Sequence, residues 1–387
     1  MVGELKMKSE FKNLPIGWKV VRLEKVAPLQ RGYDLPTDNI KEGLYPVVYS
    51  NGILRFHNEF KAKAPGVITG RSGTIGKVVY VEEDYWPHNT SLWVTNFYDN
   101  NPKFIYYMYV NLNLERFSAG SGVPTLNRND IHTQTIPLPP TDEQEKIAEI
   151  LSTWDEAINL TINLIENKKQ FKKGLMQNLL TAKIRFPEFK NEWREVTIGE
   201  LFEFKKGQGL SKEMLDTNGK FECVLYGELY TTYDEIIENI KSRTNFQGSI
   251  KSKFDDILIP SSTTTGSIDI AIAAVILKNN VLLGGDINIL RKKRNNIYGK
   301  FVAYCITNIK NKELSSYAQG TTIIHLYTKD FKDMKIKLPN LNEQQKIAEV
   351  LTACDDEINL LNLKLENLKK QKQGLMQKLL SGKVVVW

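Results

Sequence analysis

The chain has 387 residues, 41% of them hydrophobic, and 52 Lys and Arg against 45 Asp and Glu, a net charge of +7. That length predicts two or three cored domains, and no run approaches the ~20 apolar residues of a membrane span. Cys223, Cys305 and Cys354 have no CxxC spacing or histidine clustering, which argues against a disulfide framework and a zinc site.

Met1–Glu10 is charged and has no apolar run behind it, so no signal peptide is expected and the expected location is the cytoplasm. The basic excess suits a polyanionic partner, because neutralised phosphates release counterions. The same charge also serves solubility alone.

In chain order, Phe11-Lys12-Asn13 and Trp18 open a region of short β-branched runs: Gly66–Thr69, Lys77–Val81 and Ser91–Thr95. Gly/Asn/Asp turns separate them, the pattern of a strand-rich domain. A helix is expected over Pro102–Arg116, then a strand through Ile136-Pro137-Leu138-Pro139-Pro140.

Residues 143–183 read as a long helix, with apolar positions Ile147, Leu151, Trp154, Ile158, Thr161 and Ile165, then Leu175 and Leu179. Steps of alternating four and three are a coiled-coil seam. The chain then starts again: Phe189-Lys190-Asn191, Trp193, strands at Ile257–Ile259 and Ile270–Leu277, a helix over Ile297–Ser316, and Ile336-Lys337-Leu338-Pro339-Asn340.

Residues 343–383 match 143–183 without a gap at an offset of 200, about half the positions being identical. The openings match at an offset of 175, from Trp18 and Arg31-Gly32 to Trp193 and Lys206-Gly207. The chain is therefore a tandem duplication of one unit, and its second globular part is 25 residues longer.

The second seam runs through Ile347, Leu351, Cys354, Ile358, Leu361, Leu365 and Leu368 to Leu375 and Leu379. Asp142 with Glu145, and Asn342 with Gln345, match capping boxes. Gly174 and Gly374 are positions where either helix could break. Lys172 and Lys372 fall on the seams, where they should loosen packing or mark a docking point. Two such seams pair most simply with each other, antiparallel, at ~1.5 Å per residue for about 60 Å; two independent helical hairpins are the alternative.

The expected fold class is α+β: two similar strand-rich domains separated by two long helices in an antiparallel coiled coil, with pseudo-two-fold duplication. The boundaries are 1–140, 141–183, 184–339 and 340–387.

Three loops in each domain carry the side chains that hydrogen-bond base edges and phosphates. In the first domain the candidates are Arg71, Ser72, Thr74 and Lys77, then His88 and Asn89, then Thr125, Asn127 and Arg128. In the second they are Lys206, Gln208, Ser261, Ser262, Thr263, Thr264, Asn288, Thr321, Thr322 and His325. Such loops also suit ordinary surface turns. Arg291-Lys-Lys-Arg294 fits a solvated turn or a phosphate contact better than a base reader.

Catalytic patterns fail on inspection. Gly70–Lys77 resembles a phosphate loop but is one residue too long, with Val78 where Ser or Thr should hold magnesium. Asn101-Pro-Lys-Phe104 departs from the amino-methyltransferase motif at Lys103, and no Gly-rich motif for the methyl donor precedes it. The acid–x–Lys triplets at Glu59, Glu166 and Asp330 lack the Pro-Asp half of a nuclease signature. His57, His88, His132 and His325 fit no metal spacing.

The duplicated EQ(E/Q)KIAE(I/V)L…GLMQ(N/K)LL helix, preceded by IxLP, resembles the repeated helical regions of type I restriction specificity subunits. Trp18, Trp193, Tyr45–Gly52 and Leu225–Tyr230 similarly resemble that family's target-recognition domains. The likeness covers nearly the whole chain.

It implies that each domain reads one half of a bipartite, asymmetric double-stranded DNA target, with no catalysis by this chain. The helices would space the half-sites and dock two methyltransferase subunits, with Lys172, Gln177, Lys372 and Gln377 as docking candidates. Two translocase-nuclease subunits would complete the complex. No cofactor is expected in this chain; S-adenosylmethionine, ATP and magnesium belong to the partners. The other readings are a coiled-coil adaptor with protein- or glycan-binding domains, a methyltransferase acting alone, and the specificity subunit of a related restriction system.

Overall fold

The computed structural model describes residues 14–119 and 122–386; Phe11-Lys12-Asn13 and Met1–Glu10 lie outside the described residues. Two compact units are present, residues 1–163 with 362–387 and residues 164–361. Each contains one strand-rich domain, and the long helices Thr141–Leu179 and Leu341–Leu380 are both divided between the units.

In the first unit Lys19–Arg22 pairs antiparallel with Thr135–Leu138, Val21 opposite Ile136. In the second, Arg194–Thr197 pairs with Lys335–Leu338, Val196 opposite Ile336. The repeated tryptophan-led opening and the repeated IxLP close are thus partners, and their ladder delivers the chain into its helix.

The first domain has a four-stranded antiparallel sheet in the order Leu29–Arg31, Ser91–Val94, Gly66–Gly70, Val78–Val81. Its three-stranded sheet runs Gly52–His57, Tyr45–Tyr49, Trp86–Pro87. Gly66–Gly70 is buried throughout because successive strand residues face opposite ways and both faces are covered. Val67 shares a core with Phe104, Ile105 and Tyr107 of the helix Pro102–Asn111, and Ile68 with Val48, Val81 and Tyr85.

The second domain repeats the plan with five strands, Phe202–Lys206, Ile287–Lys292, Asp256–Pro260, Ala274–Ile276 and Ile236–Ile237, the last pair parallel. Ile257 and Ile259 face Phe301 and Tyr304, while Leu258 faces Ile276 and Ile289.

Several expected boundaries move. Within Ile270–Leu277 only Ala274–Ile276 is strand, because the N–H and C=O of Ala273 are both bound by the Thr307 hydroxyl. The first domain's helix stops at Asn111; Asn113 is left-handed (φ 49°) and Leu114–Phe117 forms a tighter turn. Ile297–Ser316 is two helices, Gly299–Asn308 and Asn311–Ser316.

Asn340 rather than Asn342 caps the second long helix, its Oδ1 accepting from Glu343 N at 3.0 Å. Asp142 and Asn342 therefore lie inside their first turns. Both helices continue through Gly174 and Gly374, where nothing lies within 4 Å of a Cβ. On an open face a glycine costs only about 1 kcal/mol of propensity.

Ile147, Ala148 and Leu151 share the first unit's core with Met376, Leu379 and Leu380. Ile347, Ala348 and Leu351 share the second unit's core with Leu179 and Leu180. In each unit the start of one helix packs beside the end of the other. One buried glutamine binds each start to its domain. Gln144 accepts from Asn101 N (3.0 Å) and donates to Asn100 Oδ1 and Pro139 O. Gln344 accepts from Tyr298 N (2.9 Å) and donates to Asn296 O and Pro339 O.

The seam lysines are a correction: they are largely shielded and paired with carboxylates rather than facing outward. Lys372 donates to Asp155 Oδ1, Tyr107 Oη donates to Asp155 Oδ2 at 2.7 Å, and the ammonium lies 5.1 Å from the Tyr107 ring centroid. Lys172, Asp355 and Tyr304 repeat this in the second unit, at 2.6 Å and 5.3 Å. With 12% and 15% of their side chains exposed, these lysines are held by charge-assisted hydrogen bonds and are not free for a partner. Among the described residues no helix is long and apolar enough to cross a membrane.

Candidate nucleic-acid interface

Backbone hydrogen bonds gather the first domain's loops into one cluster. Arg71 N donates to Thr90 O (2.8 Å), Leu126 N to Arg71 O (2.8 Å), Gly73 N to Pro124 O (3.0 Å) and Gly32 N to Ser91 O (3.0 Å). The second domain makes the matching bonds: Ser261 N to Asp286 O (2.7 Å), Leu326 N to Ser261 O (3.0 Å) and Gly207 N to Ile287 O (2.9 Å).

These bonds equate Arg71 with Ser261, Thr90 with Asp286, Ser91 with Ile287 and Leu126 with Leu326. The offset rises from 175 at Gly32 to 190 at Arg71, 196 at Ser91 and 200 at Leu126. Most of the second domain's extra length therefore enters before Ser261.

The repeated Arg-Gly and Lys-Gly pairs now have a steric reason. A Cβ on Gly32 would stand 2.1 Å from His88 O, and one on Gly207 1.8 Å from Gly284 O. Each glycine lets one loop pass against the next, which side chains would forbid.

On this shared scaffold the side chains differ. In the first domain Arg71 is half-buried and its Nη1 donates to Asn89 O at 3.3 Å. Ser72 bridges to Thr125. Thr74, Thr125 and Arg128 are exposed, as is Lys77, whose Nζ donates to Asn51 O at 2.6 Å. His88 lies against Tyr49, the ring centroids 4.2 Å apart and the planes tilted by 35°; burial pushes its imidazole below the ordinary range. Asn89 donates to Asp34. Asn127 is exposed but caps the helix Arg128–His132, its Oδ1 accepting from Asn129 N at 3.0 Å.

In the second domain Lys206, Gln208, Thr264, Thr321 and Thr322 are exposed. Lys206 Nζ lies 3.6 Å from Asp286, and Gln208 Oε1 accepts from Ser249 Oγ at 2.8 Å. His325 is half-buried, stacked with Tyr327 at 5.8 Å.

Four candidates are corrected here, because Ser261, Ser262, Thr263 and Asn288 are all buried. Ser262 and Thr263 pair as a strand with His325 and Ile324, and Asn288 Nδ2 is spent on Leu326 O at 2.9 Å. The basic run is corrected in its first half, where Arg291 pairs with Asp256 at 2.6 Å and Lys292 with Asp255 at 2.9 Å within a strand, whereas Lys293 and Arg294 are exposed in the bend that follows.

The catalytic look-alikes resolve into structure. Gly70–Lys77 is the connection of an antiparallel hairpin, not a strand-to-helix phosphate loop. Asn101 is a helix cap, its Oδ1 accepting from Lys103 N and Phe104 N.

Two groups of residues escaped the sequence reading. Arg31 and Asp34 stand exposed beside Asn89; an acid three residues after the arginine of the Arg-Gly pair was the available signal. On the long helices, Leu160 is 61% exposed and Leu360 67% exposed. They lie off the seam at equivalent positions in both copies, and apolar residues at the same off-seam place twice could have been found.

A family description, the type I restriction modification DNA specificity domain, matches residues 15–168 and again 190–370. The MjaVIII specificity subunit of a type I restriction enzyme from Methanocaldococcus jannaschii is 28% identical over 289 residues, covering 70% of this chain and 67% of that protein. The EcoR124I/EcoR124II specificity subunit of Escherichia coli is 25% identical over 319 residues, 77% of this chain and 75% of its own. The crystal structure of the S subunit of a type I restriction-modification system from M. genitalium has the same fold, with a TM-score of 0.63 at 19% identity over 95% of this chain and 96% of that one. With both halves matched, the chain belongs to the family of type I restriction-modification specificity subunits.

Proposed function

We propose that this chain reads a bipartite, asymmetric double-stranded DNA target, one half-site per domain, and carries no catalysis itself. The observation that carries the proposal is the pair of loop clusters: one backbone scaffold, held by matching hydrogen bonds, bears Arg71, Asn89 and Thr125 in one domain, while the other has Gly285 and His325 at the places of Asn89 and Thr125 and only the buried Ser261 at that of Arg71. Equal scaffolds with unequal side chains suit two readers of different sequences. Exposed Lys77, Arg128 and Lys206 supply the phosphate contacts that position without specifying.

In this proposal the long helices pair along their length as an antiparallel coiled coil that fixes the spacer. They dock two methyltransferase subunits through their exposed surface, where Gln177, Gln377, Leu160 and Leu360 lie. Two translocase-nuclease subunits join, and S-adenosylmethionine, ATP and magnesium belong to those partners. The complex works in the cytoplasm.

The test is recovery of the chain from its own cells with its partners, and adenine-methylome sequencing with and without its gene. Loss of one two-part motif, with a methyltransferase recovered, is expected. A chain recovered alone and an unchanged methylome would overturn the proposal and favour the adaptor reading. One partner polypeptide holding both methylase and nuclease would point to the related restriction system.

A further inference from the structure

In the first domain's cluster one polar side chain has its orientation set by an ion. Asp34 Oδ1 accepts from Asn89 Nδ2 and, at 2.8 Å, from Arg31 Nη2. The Asn89 hydrogen bond and the Arg31 charge hold this carboxyl below the usual range, so it is ionised at neutral pH and can only accept. Only the NH2 end of the Asn89 amide can face it. The Asn89 backbone is also tied down, its carbonyl accepting from Arg71 Nη1 at 3.3 Å. The half-buried amide is left with Oδ1 as an acceptor and its second N–H as a donor.

We infer that Asp34 presets Asn89 to read an adenine in the major groove, Asn89 making the contact and Asp34 acting as its positioning residue. Adenine places the N7 acceptor beside the N6 donor, the complement of that pair; guanine offers two acceptors, cytosine a donor and thymine an acceptor. The second domain lacks the device. Gly285 stands on the loop there, and the nearby amide of Gln208 meets the Ser249 hydroxyl, which can donate or accept and so leaves the amide free to flip. The inference rests on the DNA-reading proposal above.

The experiment uses the full chain with its partner subunits and a randomised double-stranded DNA library, sequencing the bound fraction. The wild-type complex selects a two-part motif. Asp34→Ala lowers the preference for adenine at one position of one half-site by roughly tenfold, and Asn89→Ala does so at the same position. Asp34→Asn, whose carbonyl still accepts from the amide, retains part of the preference. All other positions stay as they were. A loss spread over the whole half-site makes Asp34 merely structural and overturns the inference. An unchanged motif in both alanine variants overturns it while leaving DNA reading intact, whereas a wild-type complex that selects no motif removes both.

Discussion

Asp355→Ala removes the acceptor of two hydrogen bonds at once, from Lys172 Nζ and from Tyr304 Oη. It leaves a tyrosine hydroxyl on a fully buried ring. It also leaves an ammonium whose next carboxylate, Glu235, is 3.7 Å away. An unpaired buried hydroxyl costs about 1–3 kcal/mol, and an orphaned buried charge about 3–5 kcal/mol. Glu235 and partial solvent access reduce the second cost, so the expected loss is about 3 kcal/mol, roughly a hundredfold in the opening equilibrium.

Tyr304→Phe, which removes only the hydroxyl, costs about 1 kcal/mol. The triple replacement Lys172→Met, Asp355→Leu and Tyr304→Phe costs less than Asp355→Ala, because neither ammonium nor hydroxyl is left without its acceptor and Glu235 keeps its hydrogen bond from Asn308 Nδ2 at 2.7 Å. Hydrogen exchange over Gly299–Asn308 and the start of the second long helix measures this directly. The first unit is the internal reference, and Asp155→Ala is the mirror experiment there. An Asp355→Ala variant within 1 kcal/mol of wild type, or a triple variant no more stable than it, would refute the reasoning.

Gly207→Ala forces a Cβ to within 1.8 Å of Gly284 O. It should cost about 1–3 kcal/mol and weaken recognition of one half-site only, read by library selection; equal loss at both half-sites would contradict it. Gln344→Leu strands Tyr298 N, Asn296 O and Pro339 O, and a drop of about 2–4 kcal/mol in the stability from urea unfolding is expected. Burial raises the hydroxyls of Tyr107, Tyr109 and Tyr304 well above the tyrosine range, and that of Tyr233 to about 12. Unfolded tyrosines release their protons near pH 10 while these keep theirs, so stability is intact below that pH and falls as pH rises past it. A Tm that stays level between pH 9 and 11 would count against this.

The duplication, both long helices and the places of the polar loops were legible in the residues themselves. Coiled-coil spacing, paired Trp openings and IxLP closes are local patterns, and a local pattern repeated at fixed offset survives without coordinates. The seam predicted from spacing coincides with the shielded positions of both helices, from Ile147 to Leu179 and from Ile347 to Leu379. Tertiary structure alone decided the rest, because it depends on what distant residues do to one another. Lys172 lies on the seam by spacing, yet its role is set by Asp355, 183 residues away. Ser262 and Asn288 are polar loop residues by composition, but pairing with His325 and Leu326 buries them. Asp34 and Asn89 lie 55 residues apart; their chemistry can be listed from sequence, but only the close approach at Gly32 brings the loops near enough for one to orient the other.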